Sequence, residues 1–243
     1  MRICTASVPR DRIERRSVGP KLAVCILTKI GFMNPTLLLI PTSMELEMLS
    51  STFHAQCMDS NVHIELCGFG PIVSAIRAAQ CISNHSPKKI VLVGVAGGFA
   101  TRFPIGTAIE FDQVYCYGIG AGSRETFQTA GEMGWSQWPA EPIIKDAIQL
   151  HHSMAGSGPL SLLSCCAASA NDEDVIARQR KFPDAVAEDM EGFAVAVACR
   201  FANVPLRIAR GISNLTGDRV QSNWRMRDAM NAVEQWCKRE LFA

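Results

Sequence analysis

The sequence predicts an α/β fold, a three-layer α/β/α sandwich around a central sheet. Two observations carry that expectation. Short runs that are apolar on both faces, such as Thr36 to Pro41 and Lys89 to Val95, suit strands in the middle of a sheet covered by helices. Segments of helical periodicity lie between these runs, as strands alternating with helices require. No internal repeat or low-complexity linker interrupts the pattern, so residues 34–243 are expected to form one domain.

The first strand, Thr36 to Pro41, leads at once into a helix starting at Thr42 or Ser43. Glu45, three residues after Thr42, allows a capping box there. Asn61 to Cys67 alternates enough to be a strand, and Gly68-Phe69-Gly70-Pro71 turns it into a helix reaching about residue 84. Lys89 to Val95 ends in Ala96-Gly97-Gly98, and Thr107 to Tyr117 reads as one further strand. Glu141 to Met154 has helical periodicity, Leu160 to Ala167 is apolar and ambiguous, and Asn171 to Lys181 is a polar helix. Met190 to Phe201 is small and apolar enough for a buried helix. Leu206 to Ile212 is a late strand, and Arg225 to Leu241 is an amphipathic terminal helix.

Composition excludes several partners. With a formal net charge of +1 and no dominant basic block, nucleic acid is not expected as a partner. No run reaches the ~18–20 apolar residues of a membrane span, so no membrane partner is expected either. The ten cysteines lack regular spacing and form no CxxC pair, which supports neither a disulfide scaffold nor a zinc clip. Reduced thiols in a cytoplasmic protein are the expectation. The charge is uneven: residues 1–33 carry seven basic side chains against two acidic ones, so the rest of the chain sums to −4. This basic N-terminal extension is expected to lie outside the core, with Met33 as a natural start and a folded addition or a targeting segment as the alternatives.

Open α/β sheets bind ligands at the carboxyl ends of their strands. Four segments are expected there: Met44-Glu45-Leu46-Glu47, Gly94-Val95-Ala96-Gly97-Gly98, Asp189-Met190-Glu191-Gly192 and Ser213-Asn214. None is specific alone, but their order together with the blocks GFGPIVSAI, VGVAGGF, PIGTAIEFDQV, FPDAVAEDMEGFAVA and VPLRIARGISN resembles the nucleoside phosphorylase and nucleosidase superfamily. The resemblance runs from about Thr36 to Leu241. Within it, the tail GISNLTGDR followed by Trp224 is similar to the futalosine hydrolases, nucleosidases of menaquinone biosynthesis.

The resemblance implies a nucleoside phosphorylase-like sandwich with a central mixed sheet, a purine nucleoside as small-molecule substrate, no metal or organic cofactor, and a homo-oligomer. It assigns Glu47 as the base that activates water and Glu191 as the carboxylate that accepts from the ribose 2′- and 3′-hydroxyls. Met190 is then expected against the ribose face, Ala96 and Gly97 beside the substrate, and Phe127 stacked on the base. Glu45 is read as the cap or a surface residue, Asp189 as a carboxylate satisfying a helix N-terminus, and Trp224 as an anchor of the terminal helix. Arg102, Arg219 and His54 are candidates to meet a benzoate on the 5′ substituent.

Asn214 carries a physical argument about the base. Cleaving a purine N-glycosidic bond sends electrons onto the leaving base, so stabilising N7 lowers the barrier. Methylthioadenosine/adenosylhomocysteine nucleosidases usually have Asp at this position, which suits the amino donor at C6 of adenine. An amide can instead donate to a C6 carbonyl while its own oxygen accepts from protonated N7. Asn214 therefore favours a 6-oxopurine, namely release of hypoxanthine from futalosine. The alternatives are a methylthioadenosine/adenosylhomocysteine nucleosidase and a non-catalytic nucleoside-binding homologue. Carboxylates in the first loop, and Val95 where relatives often have Ser, favour water over phosphate as nucleophile.

Overall fold

The computed structural model describes residues 34–99, 103–150 and 160–242. The basic extension expected over residues 1–33 lies outside the described residues, as does Arg102. Among the described residues a nine-stranded sheet runs in the order β2-β1-β3-β10-β9-β5-β8, with β11 and then β4 branching from β3. The first strands are β1 (Thr36–Ile40), β2 (Val62–Leu66) and β3 (Lys89–Gly98). β4 (Ala108–Phe111), β5 (Gln113–Tyr117), β8 (Ala147–Gln149), β9 (Ser161–Cys165), β10 (Ala185–Asp189) and β11 (Leu206–Leu215) complete the sheet. A separate two-stranded ribbon is formed by β6 (Gly120–Ala121) and β7 (Gln128–Thr129). The helices are α1 (Ser43–Glu47), α2 (Ser51–Asp59), α3 (Pro71–His85), α4 (Asp172–Lys181), α5 (Gly192–Ala202) and α6 (Met226–Leu241). None is long and apolar enough to cross a membrane.

The sheet is mixed because its central strand changes neighbour. β3 pairs in parallel with β1 only from Lys89 to Leu92, and antiparallel with β10 only at Gly97 and Gly98. Along its other edge, β11 pairs in parallel over nearly its whole length. From Val93 to Ala96, therefore, one edge of β3 has no strand beside it. A divergence of this kind is where open sheets form a crevice.

Two buried clusters cover the faces of the sheet. Leu37, Leu39, Ile90, Leu92, Ile208 and Ile212 pack with α3 and α5 residues such as Ala78, Val195 and Ala196. Leu38, Ile40, Val91, Val93 and Ala209 pack with Phe53 of α2 and with Met230, Val233 and Trp236 of α6. Alternate residues of one strand thus go to opposite helical layers, which explains the unbroken apolar runs in the sequence.

Three elements depart from expectation. Residues 107–117 divide into β4 and β5, because the chain changes partner at Asp112. β4 pairs with β11 and β5 with β9, and Asp112 spans the break by exchanging bonds with Leu160. Glu141 to Leu150 is not helical: the Glu141–Pro142 bond is cis, and β8 follows as an edge strand on β5. The strand expected over Lys89 to Val95 is longer, since β3 continues through Ala96-Gly97-Gly98 on the pairings that β10 and β11 supply.

Candidate active site

A cavity of about 290 Å³ opens at the unpaired stretch of β3, near the lower end of the ~300–1,000 Å³ usual for small-molecule sites. All four expected segments contribute to its wall, through Met44 and Glu45, Val95 to Gly97, Asp189 to Glu191, and Ser213 with Asn214. Pro41, Thr42, Phe69, Ala168, Arg219 and Trp224 also line it.

The unpaired edge of β3 has backbone groups that must be satisfied. Side chains do this in place of a strand. Arg210 Nη1 donates to Val93 O at 3.0 Å, and Val95 N donates to Glu45 Oε1 at 2.9 Å. Gly94 lies between them with φ +151°, and a Cβ there would sit 2.4 Å from Arg210 Nη1 and 2.6 Å from Glu45 Oε1. Only glycine fits both that backbone and that space.

Arg210 is fully buried in β11. Its Nη2 donates to Asp189 Oδ2 at 2.6 Å and lies 3.4 Å from Glu191 Oε2. Burial works against the guanidinium charge, but Asp189, Glu191 and Glu45 outweigh it and hold the pKa above its ordinary value. Asp189 also accepts from Gly192 N at 2.9 Å and from the Ser164 hydroxyl. It is therefore a structural counter-charge that also starts α5, in keeping with its expected role at a helix terminus.

Glu191 sits at the N-terminus of α5 and accepts from Gly70 N at 2.8 Å. Gly70 has φ +80°, which turns the chain before α3. Burial raises the Glu191 pKa to about 7, against the attraction of Arg210. Asn214 owes its placement to a β-bulge: Ile212 is opposite Ala96 and Asn214 opposite Gly97, leaving Ser213 as the extra residue. Consecutive strand residues normally face opposite ways, yet here both Ser213 and Asn214 reach the cavity. Ser213 Oγ donates to Asn214 Oδ1 at 2.7 Å, while Asn214 Nδ2 donates to Leu215 O at 2.8 Å and to Asp218 O at 3.5 Å.

Of the expected site residues, Ala96, Gly97, Met190, Glu191 and Asn214 meet at the cavity, while Glu47 and Phe127 do not. Glu47 is exposed at the end of α1. The carboxylate that lines the cavity is Glu45, two residues and about 200° away on the helix. The capping box is the cause: Thr42 N and Thr42 Oγ1 donate to Glu45 Oε2 at 3.0 and 2.6 Å, which folds the side chain back over the end of β1. Cap and cavity residue are the same group. Phe127 is buried against Tyr117, with ring centroids 4.5 Å apart, and packs in the core. Trp224 was expected as a helix anchor but borders the cavity, and His54 on α2 does not. Arg210 was missed. Its signal was one of two arginines, with Arg207, in the short run Leu206 to Ile212, where a buried guanidinium needs counter-charges.

Residues 49–240 match the Phosphorylase superfamily. The chain belongs to this superfamily. Among its relatives, a futalosine hydrolase of Streptomyces coelicolor is 26% identical over 174 residues, covering 68% of this chain and 72% of the relative. A 5′-methylthioadenosine/S-adenosylhomocysteine nucleosidase of Oceanobacillus iheyensis is 25% identical, covering 77% and 85%. A futalosine hydrolase of Helicobacter pylori shares the fold with a TM-score of 0.65 at 13% identity, over 84% of this chain and 96% of that one. The sandwich is thus the nucleoside phosphorylase-like fold of the superfamily, and its four expected segments form one site.

Proposed function

We propose that the protein is a nucleosidase that hydrolyses the N-glycosidic bond of a 6-oxopurine nucleoside, with futalosine as substrate and hypoxanthine and dehypoxanthine futalosine as products. The observation that carries this reading is Asn214, an amide lining the same cavity as the carboxylates Glu45 and Glu191. Relatives named futalosine hydrolase support the same choice. Relatives named 5′-methylthioadenosine/S-adenosylhomocysteine nucleosidase favour a second reading, release of adenine.

Residues 34–243 form the nucleosidase domain in this reading. Glu191 accepts from the ribose 2′- and 3′-hydroxyls, and its charge steadies the cationic sugar as the C1′–N9 bond breaks. The bonding pair leaves on the purine. Glu45 takes a proton from the water whose oxygen bonds to C1′. Solvent supplies the proton that N7 takes up as the bonding pair arrives on the purine, and Asn214 Oδ1 has a second lone pair to accept a hydrogen bond from that N7–H. The long Nδ2 contact to Asp218 O is the one that a C6 carbonyl replaces. Two backbone carbonyls beside Nδ2 also make this position a better home for an amide than for a carboxylate. The cavity is lined by Glu45, Glu188, Asp189 and Glu191, an unfavourable surrounding for phosphate as nucleophile. The eight described cysteines are free, which supports the cytoplasm as location. Exposed Ile72, Val73 and Ile76 of α3 and Phe201 of α5 support a homo-oligomer.

The test is chromatography of the base released from futalosine, inosine and 5′-methylthioadenosine, with and without inorganic phosphate. Hypoxanthine release that does not depend on phosphate is expected. Asn214→Asp should cut it about 10²-fold, the usual loss of one stabilising group in the transition state. Fast release of adenine with no hypoxanthine refutes the reading.

A further inference from the structure

Glu188 also lines the cavity, and the hydrolytic step leaves it without a task. It is buried near the end of β10, and the hydrogen bonds it accepts come from one turn and one helix. Oε1 accepts from Ser169 N at 2.8 Å, and Oε2 accepts from Ser169 Oγ at 2.9 Å and from Arg178 Nη1 at 2.7 Å. Arg178 of α4 is buried as well, and its Nη2 donates to Ala167 O at 2.9 Å. The ion pair therefore grips the residues on both sides of Ala168. Of these three turn residues, Ala168 is the one in the cavity wall.

The strand register places this turn at the base end. Glu188 and Asn214 stand opposite the same residue, Gly97, along its two edges. With strands ~4.8 Å apart, their backbones are about 10 Å from each other, across a residue that has no side chain. The loop after Asn214 meets the same helix. A Cβ on Gly217, another cavity residue, would lie 2.8 Å from Val175 Cγ2. Val175 and Arg178 are three residues apart and share a face of α4. One helix thus touches both loops that flank the base end, although none of its own residues is in the wall.

Stability alone is a poor reason for such a pair. Arg178 is buried, its Nε has no partner among the described residues, and apolar groups of like size often replace buried ion pairs without loss. What the pair supplies is fixed geometry. A planar guanidinium holds a carbonyl and a carboxylate at once, and the Tyr117 ring lies against it, 4.6 Å from the guanidinium carbon to the ring centre. Alignment of the purine with Asn214 depends on where the base rests, and a displacement of ~1 Å can cost ~10²-fold in rate.

We infer that Arg178 and Glu188 are positioning residues for the purine, fixing the turn around Ala168 as the wall that aligns the base with Asn214. This rests on the nucleosidase reading and holds whichever purine leaves. Neither residue takes part in bond cleavage.

The experiment is a cycle of single-turnover base release from futalosine with four proteins: the wild type, Arg178→Met combined with Glu188→Gln, Asn214→Ala, and all three changes together. The paired replacement removes both charges, so its Tm should stay within about 3 °C of the wild type. Its rate should fall about 10²-fold. With Asn214 already replaced, the same change should cost less than about threefold, because the contact that it aligns is gone. A merely structural pair would cost the same in both backgrounds. Arg178→Lys keeps the charge without the planar fork and, at an unchanged Tm, should lose about tenfold. If the paired replacement does not fold, Arg178→Lys takes its place in the cycle. A wild-type rate in either variant, or equal losses with and without Asn214, overturns the assignment. If the wild type releases adenine and no hypoxanthine, the base reading fails instead, and the same cycle on 5′-methylthioadenosine decides the positioning role.

Discussion

Glu191→Gln separates the electrostatics of the site from its shape. Burial lifts this carboxyl from 4.5 to about 7, and Arg210 only partly opposes it. That rise corresponds to about 3 kcal/mol against the charged form in the empty site, as an upper figure. The sign follows from proton counts. Between about pH 4.5 and 7 the folded protein keeps a proton that the unfolded chain has lost, so stability falls as pH rises through this window. Above 7 the full cost is present, and below 4.5 it vanishes. Glutamine mimics the neutral form, so the variant should match the wild type in Tm at pH 4 and exceed it by several degrees at pH 8. Activity should move the opposite way, because the ribose hydroxyls need a charged acceptor. Wild-type kcat/KM should climb with pH and level off above about 7. The limb in kcat should lie lower, since two hydroxyl donors favour the charged form once substrate is bound. Base release from pH 4 to 9 and thermal melts over the same range make the measurement. An acid limb in kcat/KM below pH 5, or one that survives unchanged in Glu191→Gln, refutes the reasoning.

Two further substitutions test the assembly of the site. Glu45→Gln should lower kcat by about 10²–10⁴, whereas Glu47→Gln should stay within about twofold of wild type. Single-turnover base release decides this, and a large loss at Glu47 would return the base to that residue. Gly94→Ala places a Cβ against both Arg210 and Glu45 and should cost roughly 1–3 kcal/mol in strain. Its Tm should fall on the order of 5 °C, with a loss of kcat well beyond what the melting shift explains. Unimpaired turnover in this variant would show that the Arg210 and Glu45 arrangement is dispensable.

The ends of strands were legible in the sequence, and the direction of side chains was not. Apolar runs located β1, β3 and β11, and the rule that ligands bind at strand ends brought four segments to one place before any geometry was known. Choosing between Glu45 and Glu47 needed the consequence of the capping box. A side chain at the third helical position that reaches back to its cap also points back to the strand before it. The cap and the cavity position looked like competitors, yet Glu45 both caps the helix and lines the cavity. The position of Asn214 at the cavity was readable because it directly follows an apolar strand. Arg210 was not, since its role depends on which edge of β3 lacks a strand, a property of the assembled sheet. Glu141 to Leu150 was misread because Ile144 and Ile148 fit helical spacing, while the register with β5 sets the actual backbone.

The divergence of β1 and β10 from β3 accounts for most of the site's chemistry. An unpaired strand edge inside a sheet needs a donor and an acceptor to replace the missing ladder, and Arg210 and Glu45 supply them. Burying Arg210 to do so is costly unless carboxylates accompany it, which brings in Asp189 and Glu191. Glu191 therefore serves two ends. Its attraction to Arg210 helps hold the sheet centre together, and its remaining acceptor capacity faces the cavity. With three carboxylates, Glu45, Asp189 and Glu191, around the one guanidinium of Arg210, the centre is net acidic, which suits a cationic sugar and repels an anionic nucleophile. In this reading the preference for water over phosphate arises from the same charges that close the gap in the sheet. Removing Arg210 should accordingly damage folding before it alters the choice of nucleophile.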